Sequence, residues 1–118
     1  MRGMKLCHIA LIIVAQALAP ALADSAFDLP IRAGKVEEVC MPLKAGTTLQ
    51  WRFSADLPVD FNLHHHVGKD VVMPVDLKTV ATHVGQQKID RDNDWCLMWT
   101  APKAGVARVR GHWSVLPN

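Results

Sequence analysis

The chain has 118 residues, half of them hydrophobic, with 13 Lys and Arg against 11 Asp and Glu. That length accommodates one small domain. Setting aside Arg2 and Lys5, which belong to an N-terminal leader, leaves eleven basic residues against eleven acidic ones. A balanced remainder excludes the basic electrostatic footprint expected of a nucleic-acid or acidic-lipid binder.

Residues 1–23 read as a secretory signal peptide. Arg2 and Lys5 form its positive start, residues 9–18 its short apolar run, and Ala21-Leu22-Ala23 its small-x-small cleavage site, so the cut is expected before Asp24. The apolar run is too short to span a bilayer comfortably, and no later stretch matches it. Residues 24–118 are therefore expected as a single domain, periplasmic or secreted, with no membrane anchor after cleavage. Cys7 leaves with the leader, which leaves Cys40 and Cys96. In an exported domain this pair favours a disulfide over two free thiols acting as soft metal ligands. Closing so long a loop contributes roughly 4 kcal/mol in the chain-entropy account.

The elements of the mature chain follow a period of two. In residues 48–53, Leu49, Trp51 and Phe53 alternate with Thr48, Gln50 and Arg52; in residues 59–66, Val59, Phe61 and Leu63 take one face. In residues 78–84, Val80, Thr82 and Val84 oppose His83. Residues 95–100 are apolar on both faces, as suits a central strand. Ala107, Val109 and Trp113 alternate with Arg108, Arg110 and His112. Turn residues stand between these runs: Ala45-Gly46, Asp56-Leu57-Pro58, Val67-Gly68-Lys69-Asp70, residues 90–93 and residues 102–105. No stretch holds an apolar stripe at helical spacing for three turns. The pattern predicts an all-β antiparallel sandwich of about seven or eight strands in two sheets.

Chemistry concentrates in Asn62-Leu63-His64-His65-His66. On a strand, His64 and His66 point to one face beside Asn62 and Asp60, while His65 points with Phe61 and Leu63 toward the core edge, where a hydrogen bond is expected for it. Two imidazoles at i and i+2 on an exposed face form a bidentate pair suited to copper, zinc or nickel. The expected metal ligands are His64, His66 and His112, with His83, Asn62 and Asp60 as possible additions; His112 or His83 completes a three-nitrogen site if the fold brings it near. The action expected is reversible coordination of a metal ion or small ligand, without turnover. No serine lies in a nucleophile elbow, and there is no His-Glu-x-x-His or Cys-x-x-Cys motif, so no enzyme is expected. Met41, Met73 and Met98 suit Cu(I), but the Cys, His, Met order of a blue-copper site is missing and they read as core filler. Asp90, Asp92 and Asp94 lack the Gly and Glu of a calcium loop and read as a solvated turn. Trp95, Leu97 and Trp99 share a face opposite Cys96 and Met98. That face is either core, packed on Trp51 and Phe53, or a half-exposed aromatic platform; the size of the rings favours core.

The order of these segments resembles a known family. An early strand carries Glu38-Val39-Cys40, a turn at Gly46 and a strand follow, then Val59-Asp60-Phe61-Asn62-Leu63, a glycine hairpin at Gly68, and Asp94-Trp95-Cys96-Leu97-Met98-Trp99 before a final strand near Trp113. This is similar to the GOLD-type β-sandwich of the emp24/p24-like cargo receptors, over residues 37–115. The resemblance implies the sandwich, a Cys40–Cys96 bridge and a protein partner docked on a sheet face or an aromatic patch. The histidine run departs from that family's pattern, as does the lack of a coiled coil and membrane anchor in the stretch up to Asn118. The Phe61-Asn62-x-His64-x-His66 strand itself resembles one in small exported bacterial proteins.

Overall fold

The computed structural model describes residues 24–118, together with Gly3. The expected signal peptide lies outside the described residues. Six antiparallel strands and no helix make up the described chain: β1 (Ser25–Ile31), β2 (Val36–Leu43), β3 (Thr48–Val67), β4 (Asp70–Lys88), β5 (Asn93–Thr100) and β6 (Ala107–Leu116). They join in the order β1-β6-β3-β5-β2, with β4 on the free side of β3.

β3 organises the domain. Its residues 48–55 pair with β6 and its residues 60–64 with β5, while β4 follows it along nearly its whole length. The sheet is thus two halves, β1-β6-β3-β4 and β2-β5-β3-β4, that share one hairpin and curl over each other. Trp99 of β5 shows that the inner faces meet. Its ring lies 4.9 Å from Phe27 of β1 and 5.6 Å, edge-on, from Phe53 in the other half of β3.

The all-β class and the disulfide agree with expectation, but the strand count is lower. Residues 48–53 and 59–66 form one strand, because Asp56-Leu57-Pro58 makes a bulge and not a reversal. Five steps from Ser54 to Val59 stand against two on β4. Turn residues suit a bulge as well as a hairpin. What decides is that both flanks pair with the same continuous β4. Asp56 Oδ1 accepts the Arg108 N–H at 2.8 Å and ties the bulge down. Residues 78–84 are likewise part of the long β4. The turns at Gly46 and Gly68 are as expected, with φ of 91° and 60°, the left-handed region glycine enters freely.

The alternation places the core where the sequence indicates it. Leu49, Trp51, Phe53, Val59, Phe61, Leu63, Leu97 and Val109 are buried. Trp95 and Trp99 are fully buried, so the aromatic face is core and offers no platform. Each such side chain contributes about 1.5–3 kcal/mol through burial. Met41 is buried, Met98 half-buried and Met73 exposed, so Met73 is not core filler. Asp92 sits in the expected turn, where its Oδ1 accepts the Ala45 N–H at 2.8 Å.

Candidate functional site

The strand order β3-β5-β2 builds a polar patch on the outer face of one half. His64 lies opposite Cys96, which lies opposite Cys40; one row along, Asn62 lies opposite Met98, which lies opposite Glu38. The intervening residues, Leu63, Leu97 and Val39, point to the core side. Cys40 and Cys96 are joined at an S–S distance of 2.08 Å, closing a separation of 56 residues. This bridge fits an exported, periplasmic protein.

His64 is held from both sides. Its Nδ1–H donates to Asn62 Oδ1 at 2.7 Å. An amide oxygen only accepts, so the proton of the neutral ring sits on Nδ1 and Nε2 carries a lone pair. Nε2 faces Glu38 Oε2 at 3.7 Å. The His66 ring stands edge-on at 5.4 Å, with an interplanar angle of 88°. Asn93 Nδ2 donates to the His66 carbonyl at 2.7 Å and fixes the strand there.

The expectation of an exposed histidine pair needs correction. His66 and Glu38 are exposed, but His64 is only 5% exposed. It points outward, on the face that carries Glu38 and Cys96, yet is buried there. Burial pushes the His64 pKa below the usual imidazole range; the Glu38 carboxylate opposes this, while His66 and His65 reinforce it. His65 points inward as expected and lies 3.9 Å from the Trp95 ring. The hydrogen bond expected for it is missing at Nδ1, which is buried without a partner. Burial lowers its pKa too, against the pull of Asp90.

The other candidate ligands fall elsewhere. His83 stands opposite Phe53, and its Nδ1 accepts the Trp51 Nε1–H at 2.9 Å. It lies among the inner aromatic rings, 5.8 Å from Phe61, on the opposite face of the sheet from His64. His112 stands opposite Arg52, in the half of β3 that pairs with β6. Asp60 accepts the Thr79 N–H at 3.0 Å and shapes the β4 bulge, where Thr79 takes φ of 56°. Asn62 serves the site through His64.

Among the described residues, the ligating side chains that converge are Glu38, His64 and Cys96, with ligand atoms within 4.8 Å of one another. Cys96 is bonded to Cys40 and offers no thiolate. The residue sequence reasoning missed is Glu38. Its signal was present: Glu38 shares a strand face with Cys40, and that face follows the bridge to His64.

No family model and no curated protein matches the chain. Among solved structures it is similar to the crystal structure of Aeromonas hydrophila PliG, a periplasmic lysozyme inhibitor of g-type lysozyme. The TM-score is 0.60 at 11% sequence identity, over 83% of this chain and 90% of that one. The likeness is one of fold.

Proposed function

We propose that this is an exported, non-catalytic binding protein that coordinates a divalent transition-metal ion between His64 Nε2 and Glu38. One observation carries this reading. His64 Nε2 faces the Glu38 carboxylate at 3.7 Å, and with the ring neutral and its proton on Nδ1 both groups are acceptors. Such a pair is unfavourable in a neutral site and favourable around a shared cation. Two ligands each about 2.1 Å from a tetrahedral zinc stand roughly 3.4 Å apart, close to this separation. Asn62 orients the ring by accepting from the other nitrogen, the usual supporting contact of a ligating histidine. Imidazole with carboxylate suits zinc, copper(II) or nickel, and the oxidised cysteines remove the softest donors. The ion would be held reversibly and released as the imidazole protonates. Isothermal titration with Zn(II), Cu(II) and Ni(II) tests this. Micromolar binding lost in His64→Ala supports it, and absence of binding by all three ions overturns it.

A second reading is a protein partner, which the GOLD-type resemblance implies and the fold likeness to an enzyme inhibitor supports. The exposed apolar side chains at the β3–β4 turn, Val67, Val71, Val72 and Met73, support it as well. In this reading the partner is a lysozyme-type enzyme. Assaying g-type lysozyme with the purified protein and with Val71→Asp decides: inhibition weakened by the substitution supports it, and unchanged lysis overturns it.

A further inference from the structure

We propose that a second copy of this chain pairs with it along residues 80–88 of β4, antiparallel, about a two-fold axis through Val84. This goes beyond both functional readings and uses none of the residues of the metal site.

Among the described residues β4 pairs only with β3, so its outer edge is open along all of its 19 residues. The two parts of that edge differ. Residues 70–79 carry the devices that blunt an edge. Pro74 has no N–H, the register slips on either side of Val75-Asp76-Leu77, Thr79 has φ of 56°, and Lys78 pairs with Asp76 at 3.5 Å. Residues 82–88 carry none of these. They match residues 48–54 one for one without a bulge. From Val80 to Gln87 there is no proline and no Asp, Glu, Lys or Arg. Within that stretch Val84 is 81% exposed, the most exposed large hydrophobic side chain among the described residues.

The stretch is complementary to itself. A two-fold axis through Val84 places Val84 against its counterpart, Thr82 against Gln86, His83 against Gly85 and Val80 against Lys88. No like charges meet, and β-branched side chains meet at the centre. At Gly85 the Trp51 ring fills the place that a side chain would take on the inner face. Such an interface is isologous and closes at two copies. The other edges do not compete: β1 carries Asp28 and Pro30, and β2 carries Glu37, Glu38 and Pro42.

Sedimentation velocity of the exported protein, across a concentration series reaching about 100 μM, tests the proposal. A dimer is expected, with Val84→Lys raising its dissociation constant about tenfold or more by setting two ammonium groups across the axis. Val71→Lys, on the blunted part, should leave the constant unchanged. Val84 is exposed, so Val84→Lys is expected to keep the wild-type melting curve, which is recorded alongside. Oxidation of Val84→Cys should cross-link two copies, since directly opposed strand residues lie about 4.5–5.5 Å apart. A protein that stays monomeric to the top of the series overturns the proposal. So does a dimer that Val84→Lys leaves intact.

Discussion

Glu38 Oε2 lies 3.7 Å from His64 Nε2, across the strand that carries Cys96, while the other nitrogen of that ring is fastened to Asn62 at 2.7 Å. The imidazole is thus fixed in tautomer and direction by one neighbour and confronted by an acceptor on its other side. Substitutions should separate the two roles. Glu38→Gln removes a ligand charge and should weaken zinc binding. Asn62→Leu leaves every ligand in place but frees the ring, and should cost about 10- to 100-fold in affinity. Isothermal titration of each variant measures this, with melting temperatures recorded in chelator to separate binding from stability.

Acid should destabilise the metal-free protein through its buried histidines. In the unfolded chain these titrate near the usual 6.5. In the fold, burial lowers the pKa of both His64 and His65. A lowered pKa means the folded state prefers the neutral ring, so this contribution is fully present above about pH 6.5 and is lost as pH falls below that through the folded value. Thermal melts from pH 8 to pH 5 in chelator should show a falling melting temperature. His65→Phe, which keeps a ring against Trp95, should flatten the slope.

A separate acid effect belongs to Asp28. Arg108 donates to it from Nε at 2.7 Å and holds its carboxyl below the usual range near 3.8, with Arg110 adding to the effect. The contribution is present above that range and disappears only as pH falls below it. Asp28→Asn should therefore leave the pH 5–8 slope unchanged and lessen the loss below pH 4, as followed by circular dichroism. The group is exposed, so the change should be small.

Gly111 should tolerate no side chain. A Cβ there would run into the Arg52 carbonyl oxygen and approach the Phe27 ring to 2.7 Å. The carbonyl belongs to the paired strand and cannot turn aside. Gly111→Ala is expected to cost about 1–3 kcal/mol, an overpacking penalty read from urea unfolding.

Loss of the bridge should be felt through the whole domain. Cys40→Ser combined with Cys96→Ser is expected to lower stability by about 2–5 kcal/mol. Equal denaturation midpoints for this variant and the oxidised protein would contradict the role given to the disulfide.

Much of this architecture can be read from period-two alternation. Leu49, Trp51 and Phe53 face inward because their neighbours are polar, and Trp95 and Trp99 are core because rings of that size have no other place in a small domain. The strand count was harder to read. Asp56-Leu57-Pro58 has the composition of a reversal, and only pairing with β4, made from distant residues, shows the chain going straight on. The candidate site divides in the same way. His64 and His66 share a face by alternation alone. Glu38 reaches them through the order β3-β5-β2, and His112 and His83 are placed apart by pairings with Arg52 and Phe53. Those are non-local facts, absent from any short window of sequence.

The double use of β3 also sets an order of assembly. β3 and β4 are neighbours in sequence and can close as a hairpin early, but the strands that flank the other side of β3 are the last two in the chain. Until residue 100 is available the whole of one margin of the longest strand stays bare, its residues 48–55 wait on to residue 116, and Cys40 waits for a partner 56 residues downstream. Contacts of such long sequence separation make folding slow. A nascent chain would therefore spend its early life with an open seam down its middle, where a stray strand or a mispaired thiol does the most harm.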